Sequence, residues 1–326
     1  MKRGFQTVTH SGGASLSLFT EADLDDIHLE TLEVLDRTGV LVESDEACDV
    51  FADGGCRVDR GARIVKIPPE VVADALHSSR RRFTLFARNP EEDLLIEPGR
   101  VAIGPFAEGL MVNDLDTGER RESTKKDVGT IARLIDGLDE IDMNNVAVTP
   151  RDVSAETATL HGLQEVFTNT TKPVVAGMPS KRQIELAADM AAAIVGGQDE
   201  LRERPILAFC GCPVAPLNLC EAWADGVVAT ARAGLPVCCC SMGMAGGSTP
   251  ITLAGTLIVQ NAEELASLTL TQLVNRGNAF VYASSTCSLD LRFGTATVGT
   301  PETALYQAGT AALADYYSVP SWTAGY

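Results

Sequence analysis

The chain has 326 residues, 45% of them apolar, with 29 glycines and a formal net charge of −18 at pH 7. Such a composition fills a large core and excludes disordered and fibrous classes. The acidic balance repels nucleic-acid backbones and anionic membrane surfaces and favours a cationic substrate or a basic partner.

In chain order, Met1–Thr7 lacks the apolar core of a secretory signal, so the expected location is cytoplasmic. Thr20-x-x-Asp23 reads as a capping box for a helix carrying Leu24, Ile27, Thr31, Leu32 and Leu35, with Gly39 as its stop. A second helix follows from Asp45. The strands Cys56–Asp59 and Arg63–Ile67 flank an Asp-Arg-Gly turn, and Pro68-Pro69 opens a third helix. Phe83–Ala87, Leu94–Glu97, Arg100–Gly104 and Leu110–Leu115 read as short strands, with Asp116-x-Gly118 as a hairpin turn. Thr124-x-x-Asp127 caps a further helix. A soft boundary near 120–140 separates an N-terminal α+β region (1–130) from βα repeats (131–326).

The repeats begin at 141. Apolar runs recur at Ile141–Thr149, Pro173–Met178, Ile206–Cys212, Val237–Met242, Ala279–Ser284 and Val319–Gly325, each but the last followed by a helix-like stretch. Non-alternating runs between helices predict parallel strands buried on both faces. Six units in 186 residues scale to roughly the 250 residues of eight. The expected fold is therefore a TIM-type (β/α)8 barrel truncated after about six units and preceded by an α+β layer; a doubly wound open sheet is the rival. Ala233–Ala262 is uncharged, but Pro236, Pro250 and five glycines break it, which argues against a membrane span.

The nine cysteines match no zinc spacing, and core packing is the favoured reading for Cys210, Cys212 and Cys238–Cys240. No metal site is expected. The four histidines are scattered, with no pair at helical spacing. Ser241-x-Gly243-x-x-Gly246 resembles a dinucleotide loop but has serine where the tight turn needs the first glycine. Lys172 stands beside a strand, but at its N-terminal end, which disfavours a Schiff-base lyase.

Barrel enzymes place chemistry at the C-terminal ends of their strands. The candidates there are Arg151-Asp152, the loop with Gly243, Gly246 and Gly247, the excursion containing Asp290 and Arg292, Glu302, Trp322 and Tyr326. Each has a structural alternative. Glu302, behind Thr300 and Pro301, suits a helix N-terminus, where a carboxylate contributes about 0.3–1 kcal/mol. Asp152 and Asp290 can pair with neighbouring charges, the glycines can serve the loop alone, and the aromatics can fill the barrel.

The stretch Ser241-Met-Gly-Met-Ala-Gly-Gly-Ser-Thr-Pro-Ile-Thr-Leu-Ala-Gly-Thr-Leu, Asn261-Ala-Glu263, Tyr282-Ala-Ser-Ser-Thr286, Gly299-Thr-Pro-Glu302 and Val319-Pro320 before Ala324-Gly325 resemble the trimethylamine:corrinoid methyltransferase family, in family order. The resemblance spans essentially the whole chain, including Leu18-Phe-Thr through Val65-Lys-Ile-Pro68. It implies transfer of a methyl group from a small methylated amine to the cobalt(I) corrinoid of a separate corrinoid protein, with no cofactor bound by this chain. Glu302 and Asp290 would handle the cation or its proton. Phe106, Tyr282, Trp322 and Tyr326 would offer aromatic faces, each worth about 0.5–2 kcal/mol, with Asp152 beside the substrate.

Family members with pyrrolysine carry it just after an Ala-Gly at the end of a barrel strand. The resemblance therefore places an amber codon directly after Tyr326, or Tyr326 at the special position. In the related glycine betaine enzymes an ordinary residue stands there. The competing expectation is a non-catalytic truncated barrel that binds amines or a partner. The composition permits a homo-oligomer.

Overall fold

The computed structural model describes residues 18–324. They form two compact units interleaved along the chain. One comprises Phe83–Cys210 and Ala233–Pro236, the other 18–82, Gly211–Arg232 and 237–324.

The six expected repeat strands are present. β1 (Asn144–Asn145), β2 (Val174–Gly177), β3 (Leu207–Gly211), β4 (Val237–Ser241), β5 (Phe280–Ser284) and β6 (Ser321–Thr323) follow one another through a single sheet in chain order. That order is the order of a half-barrel. A doubly wound sheet reverses direction at a switch point, so the rival fold is set aside.

In the first unit, Asn144 pairs with Val174 and Asn145 with Val175, and β2 continues against β3. The helix Lys125–Asp136 starts at the expected capping box, and Arg121 bridges Asp127 at 2.7 Å and Asp114 at 3.1 Å. Its C-terminal end is held by Lys172, whose buried ammonium donates to the carbonyls of Ile135, Leu138 and Ile141 at 2.6–2.7 Å. A cation there meets both the free carbonyls and the negative end of the helix dipole. The hairpin Met111–Asn113 with Arg120–Glu122 turns on Asp114, whose carboxylate accepts the N–H groups of Asp116 and Thr117. Two expectations are corrected here. Arg100–Gly104 is not a strand: its Ile103 N–H donates to the Asp142 carboxylate and its Ile103 carbonyl accepts the Asp142 N–H at 2.8 Å, and this local tie to one residue replaces a ladder. The first repeat strand shrinks from nine expected residues to two, because the loop before it pairs along its edge at Gly109 and Val148.

In the second unit, Val40–Val42, Arg57–Asp59 and Ile64–Lys66 form an antiparallel sheet extended by Asn218–Leu219, which runs parallel to Val40–Val42. The helix Glu21–Glu33 carries its capping box and continues as a π-turn over Val34–Thr38 to Gly39. Gly39 has φ +79°, and a Cβ there would lie 2.4 Å from the Val65 carbonyl oxygen. Gly39→Ala is expected to cost at least about 2 kcal/mol, read as a lower urea midpoint; an unchanged midpoint would show that this turn is not held rigidly.

The helix Leu253–Val274 is 22 residues long and buried from Gln260 to Gln272 on every side. It packs against the helices Glu21–Glu33 and Pro69–Ser78 and against β4 and β5. A helix enclosed on all faces needs no polar stripe, yet this one carries Gln260, Asn261, Glu263 and Glu264 fully buried. Among the described residues no helix is long and apolar enough to cross a membrane.

Candidate functional site

The register of β4, β5 and β6 decides which side chains face which way. Ser241 pairs with Ser284 and Ser284 with Thr323, while Cys240 pairs with Ala283 and Ala283 with Trp322. Successive residues point to opposite faces and paired residues share one. The face towards the Leu253–Val274 helix is identified by its hydrogen bonds: Tyr282 donates to Asn261 Oδ1 at 2.9 Å, and Ser284 to Gln260 Oε1 at 3.0 Å. Cys240, Ala283 and Trp322 therefore face inward. Cys240 Sγ lies 3.3 Å from Ser285 Oγ. A hydrogen bond to Cys240, together with burial, pushes the Cys212 thiol far up, so Cys212 stays a protonated neutral group.

The helix face holds a polar network around two carboxyls. Ser241 Oγ donates to Glu263 Oε2, Leu217 N–H to Glu263 Oε1 at 2.9 Å, and Ser241 N–H to Glu264 Oε1 at 2.9 Å. Burial raises the Glu263 pKa to about 6, against the pull of these donors, and pushes Glu264 well up. These carboxyls tie the end of β4 and the 214–218 loop to the helix.

Beyond the strand ends, Met244–Ala245 runs parallel to Cys287–Asp290, which turns back on Thr295–Ala296. Gly243, Gly246 and Gly247 shape this loop: the Gly243 N–H donates to Thr286 Oγ1 at 3.3 Å, and those of Gly246 and Gly247 donate to Thr249 and Met244 carbonyls. Met242, Ile251, Leu291, Phe293 and Val298 on these loops are exposed. The helix Pro301–Tyr316 starts behind the Thr300 cap. Its Gln307 donates to the Thr286 carbonyl at 3.0 Å and accepts the Ala324 N–H at 3.2 Å, which fixes the end of β6.

The residues offered by the sequence fall in different surroundings. Asp290 Oδ1 accepts the N–H groups of Arg292 and Phe293 at 2.8 and 3.2 Å, a turn closed on itself. Glu302 is exposed in the first turn of its helix. Asp152 is exposed and accepts the Lys125 N–H at 2.7 Å, at the start of the Lys125–Asp136 helix. Tyr282 is fully buried on the helix face, Trp322 is half-buried on the inner face, and Phe106 is 79% exposed. Gly325 and Tyr326 lie outside the described residues. The structure thus groups Trp322 with Cys240 and Ser285 on one inner surface, and leaves Asp152 and Phe106 in the other unit.

Sequence reasoning placed Glu263 in a family motif without a role at the site, and passed over Glu264. Their signal was two acids in an otherwise uncharged 22-residue helix, where each must be buried. It also passed over Glu108 and Asn145 of the first unit. Glu108 has φ +60° and its carboxylate lies over Gly177 at the end of β2, where a Cβ would come within 1.8 Å of Oε1. Arg151, 3.5 Å from Glu122, lines a cavity of about 270 Å³ with Thr149, Pro150 and Val153.

Residues 3–326 match the trimethylamine methyltransferase (MTTB) family model. The chain is 41% identical over 313 residues to the trimethylamine methyltransferase MttB of Desulfitobacterium hafniense, covering 96% of this chain and 63% of that protein. It is 38% identical to MttB of Methanosarcina thermophila, covering 96% and 66%, and 32% identical to a glycine betaine methyltransferase of D. hafniense, covering 95% and 64%. It therefore spans somewhat less than two thirds of the length of these relatives. The fold resembles the crystal structure of Methanosarcina barkeri monomethylamine methyltransferase (MtmB), with a TM-score of 0.55 at 14% identity, over 94% of this chain and 68% of that one. With a family match over nearly all its residues, this half-barrel belongs to the trimethylamine methyltransferase family.

Proposed function

We propose that the chain takes part in moving a methyl group from a small methylated amine to the corrinoid of a separate protein in the cytoplasm. The observation that supports this best is the apolar rim on the loops after β4 and β5. Met242, Ile251, Leu291, Phe293 and Val298 are 51–75% exposed on the loops beyond strand ends that carry Cys240, Ser241 and Ser284. Large exposed apolar groups gathered at one end are the mark of a docking surface.

The corrinoid would supply the nucleophile that accepts the methyl group. This chain's residues suit one brought by a partner. Of the described histidines, His28 is bonded to Tyr317 and His161 to Lys125, and His77 lies in the Pro69–Ser78 helix, so none offers an imidazole at the ends of β4 to β6. The inner face would hold the donor, with Trp322 offering an aromatic face to its cationic nitrogen. The exposed Glu302 would stabilise that charge, and Glu302→Gln is expected to cut methyl transfer sharply while costing no more than the roughly 0.3–1 kcal/mol of its place at the helix N-terminus. Asp290, closed on its own turn, would act by shaping the loop. Pyrrolysine encoded directly after Tyr326 belongs to the same proposal and is tested by the mass of the peptide that contains Ala324.

The direct test is turnover of trimethylamine and glycine betaine with a reduced corrinoid protein, followed by the corrinoid's visible spectrum. Methyl transfer supports the reading, whereas amine binding without any transfer favours a binding module. A Leu291→Ser/Phe293→Ser variant is expected to lower transfer at least tenfold at limiting corrinoid protein, with folding stability within about 0.5 kcal/mol of the parent. Equal rates would remove the rim from the docking surface.

A further inference from the structure

We propose that Glu108 and Asn145, on the inner surface of β1 and β2, form an acceptor pair for a cationic methylated amine that carries an N–H. Asn144 and Asn145 are adjacent and so point oppositely. Asn144 Nδ2 donates to the Ala132 carbonyl in the Lys125–Asp136 helix, which leaves Asn145 facing inward. Asn145 is 3% exposed, and its amide donates to the Pro105 carbonyl at 3.4 Å, while its Oδ1 is buried without a hydrogen-bond partner. Buried polar atoms in folded proteins are almost always paired, and an orphaned acceptor aimed into a strand-end surface is a place for a donor.

The second acceptor lies one inward-facing step further along. Asn145 pairs with Val175, and Gly177 is two residues beyond on the same face, about 6–7 Å along the strand. Over Gly177 lies the Glu108 carboxylate, and the absence of a side chain at Gly177 makes room for it. Its backbone is docked just past the end of β1: Glu108 N–H donates to the Val146 carbonyl at 3.0 Å and Gly109 N–H to that of Ala147 at 2.9 Å. Among the described residues no lysine, arginine or histidine pairs with Glu108. Partial burial raises its pKa, as expected for a desolvated carboxyl lacking a counter-charge.

Two acceptors without a donor suit a ligand that brings both charge and proton. A protonated tertiary amine has one N–H for Asn145 Oδ1 and a positive charge for Glu108. A quaternary ammonium lacks the N–H, and a betaine adds a carboxylate that Glu108 repels. The pair would thus select amines over betaines, an assignment that rests on the methyl-donor reading above.

The test is calorimetric titration of the 326-residue chain with trimethylammonium, tetramethylammonium and glycine betaine. Glu108→Gln is expected to weaken trimethylammonium binding about tenfold or more and to narrow the preference over betaine. Asn145→Leu is expected to weaken trimethylammonium while leaving tetramethylammonium unchanged. Parental affinities in Glu108→Gln, a conservative change at a partly exposed side chain, overturn the pair and leave the amine reading standing. A parent chain that binds none of the three overturns both.

Discussion

Glu263→Ala is expected to lose about 3–5 kcal/mol of folding stability, measured by urea denaturation at pH 7. The change strands two donors, the part-buried Leu217 N–H and the buried Ser241 hydroxyl, and leaves a void beside a helix with no exposed face in that region. Glu263→Gln keeps an oxygen for Leu217 and a group that can bond Ser241, so it is expected to fold nearly as well and to differ in its pH response. Burial raises the Glu263 pKa from 4.5 to about 6 in the folded protein. Between those values the folded state holds the proton and the unfolded state releases it. The carboxyl's contribution is therefore most favourable below about pH 4.5 and declines through the folded pKa, by about 2 kcal/mol in all. In Glu263→Gln that slope should be absent between pH 4.5 and 6.5. A slope identical to the parent's would mean that another group, with Glu264 first in line, carries the titration.

The second large effect is expected at Asn261. Its side chain accepts from Tyr282 at 2.9 Å and donates to Tyr317 at 2.7 Å and Thr31 at 3.0 Å, joining β5, the start of the chain and the residue that ends the Pro301–Tyr316 helix. With Asn261 donating to it, the Tyr317 hydroxyl is free to donate to His28 Nδ1 at 3.0 Å, which suits the neutral imidazole; burial lowers the His28 pKa in the same direction. Asn261→Leu fills the same space, leaves the Tyr282 hydroxyl without its acceptor and takes a donor from the Tyr317 and Thr31 hydroxyls, which keep His28 and the Ile27 carbonyl as partners, and it is expected to cost about 2–4 kcal/mol. Tyr282→Phe removes one arm and should cost about 1 kcal/mol. In the double variant the two losses should sum to less than their separate values, because the arm is already gone. Strict additivity would show that Tyr282 and Asn261 are not energetically joined.

What the sequence made legible was whatever is encoded locally. The capping boxes at Thr20 and Thr124, the Gly39 stop, the Pro69 helix start and five of the six repeat strands lie within a residue or two of their expected places. These features depend on side chain to backbone bonds a few residues apart, or on apolar runs. Arg100–Gly104 misled because its β-like composition says nothing of a partner, and the loop instead runs towards Glu108. Family motifs exposed the loop after β4 and pointed to Asn261-Ala-Glu263, but not to the face those residues occupy. That face follows from the register of β4 against β5, where a shift of one residue would exchange Tyr282 and Ala283. Glu108 and Asn145 escaped notice because their setting is made by residues 30 or more positions away, at Val175 and Gly177.

The pairing of Leu41 with Asn218 has a consequence during synthesis. At roughly 5–20 residues per second a ribosome needs about 10–35 s to make the intervening chain. For that interval the outer edge of the first sheet has no native neighbour, and its apolar Val40–Val42 segment is open to strands of other nascent chains. Slower elongation would lengthen the hazard, and holdase chaperones acting on the emerging N-terminal region would determine the yield of folded protein.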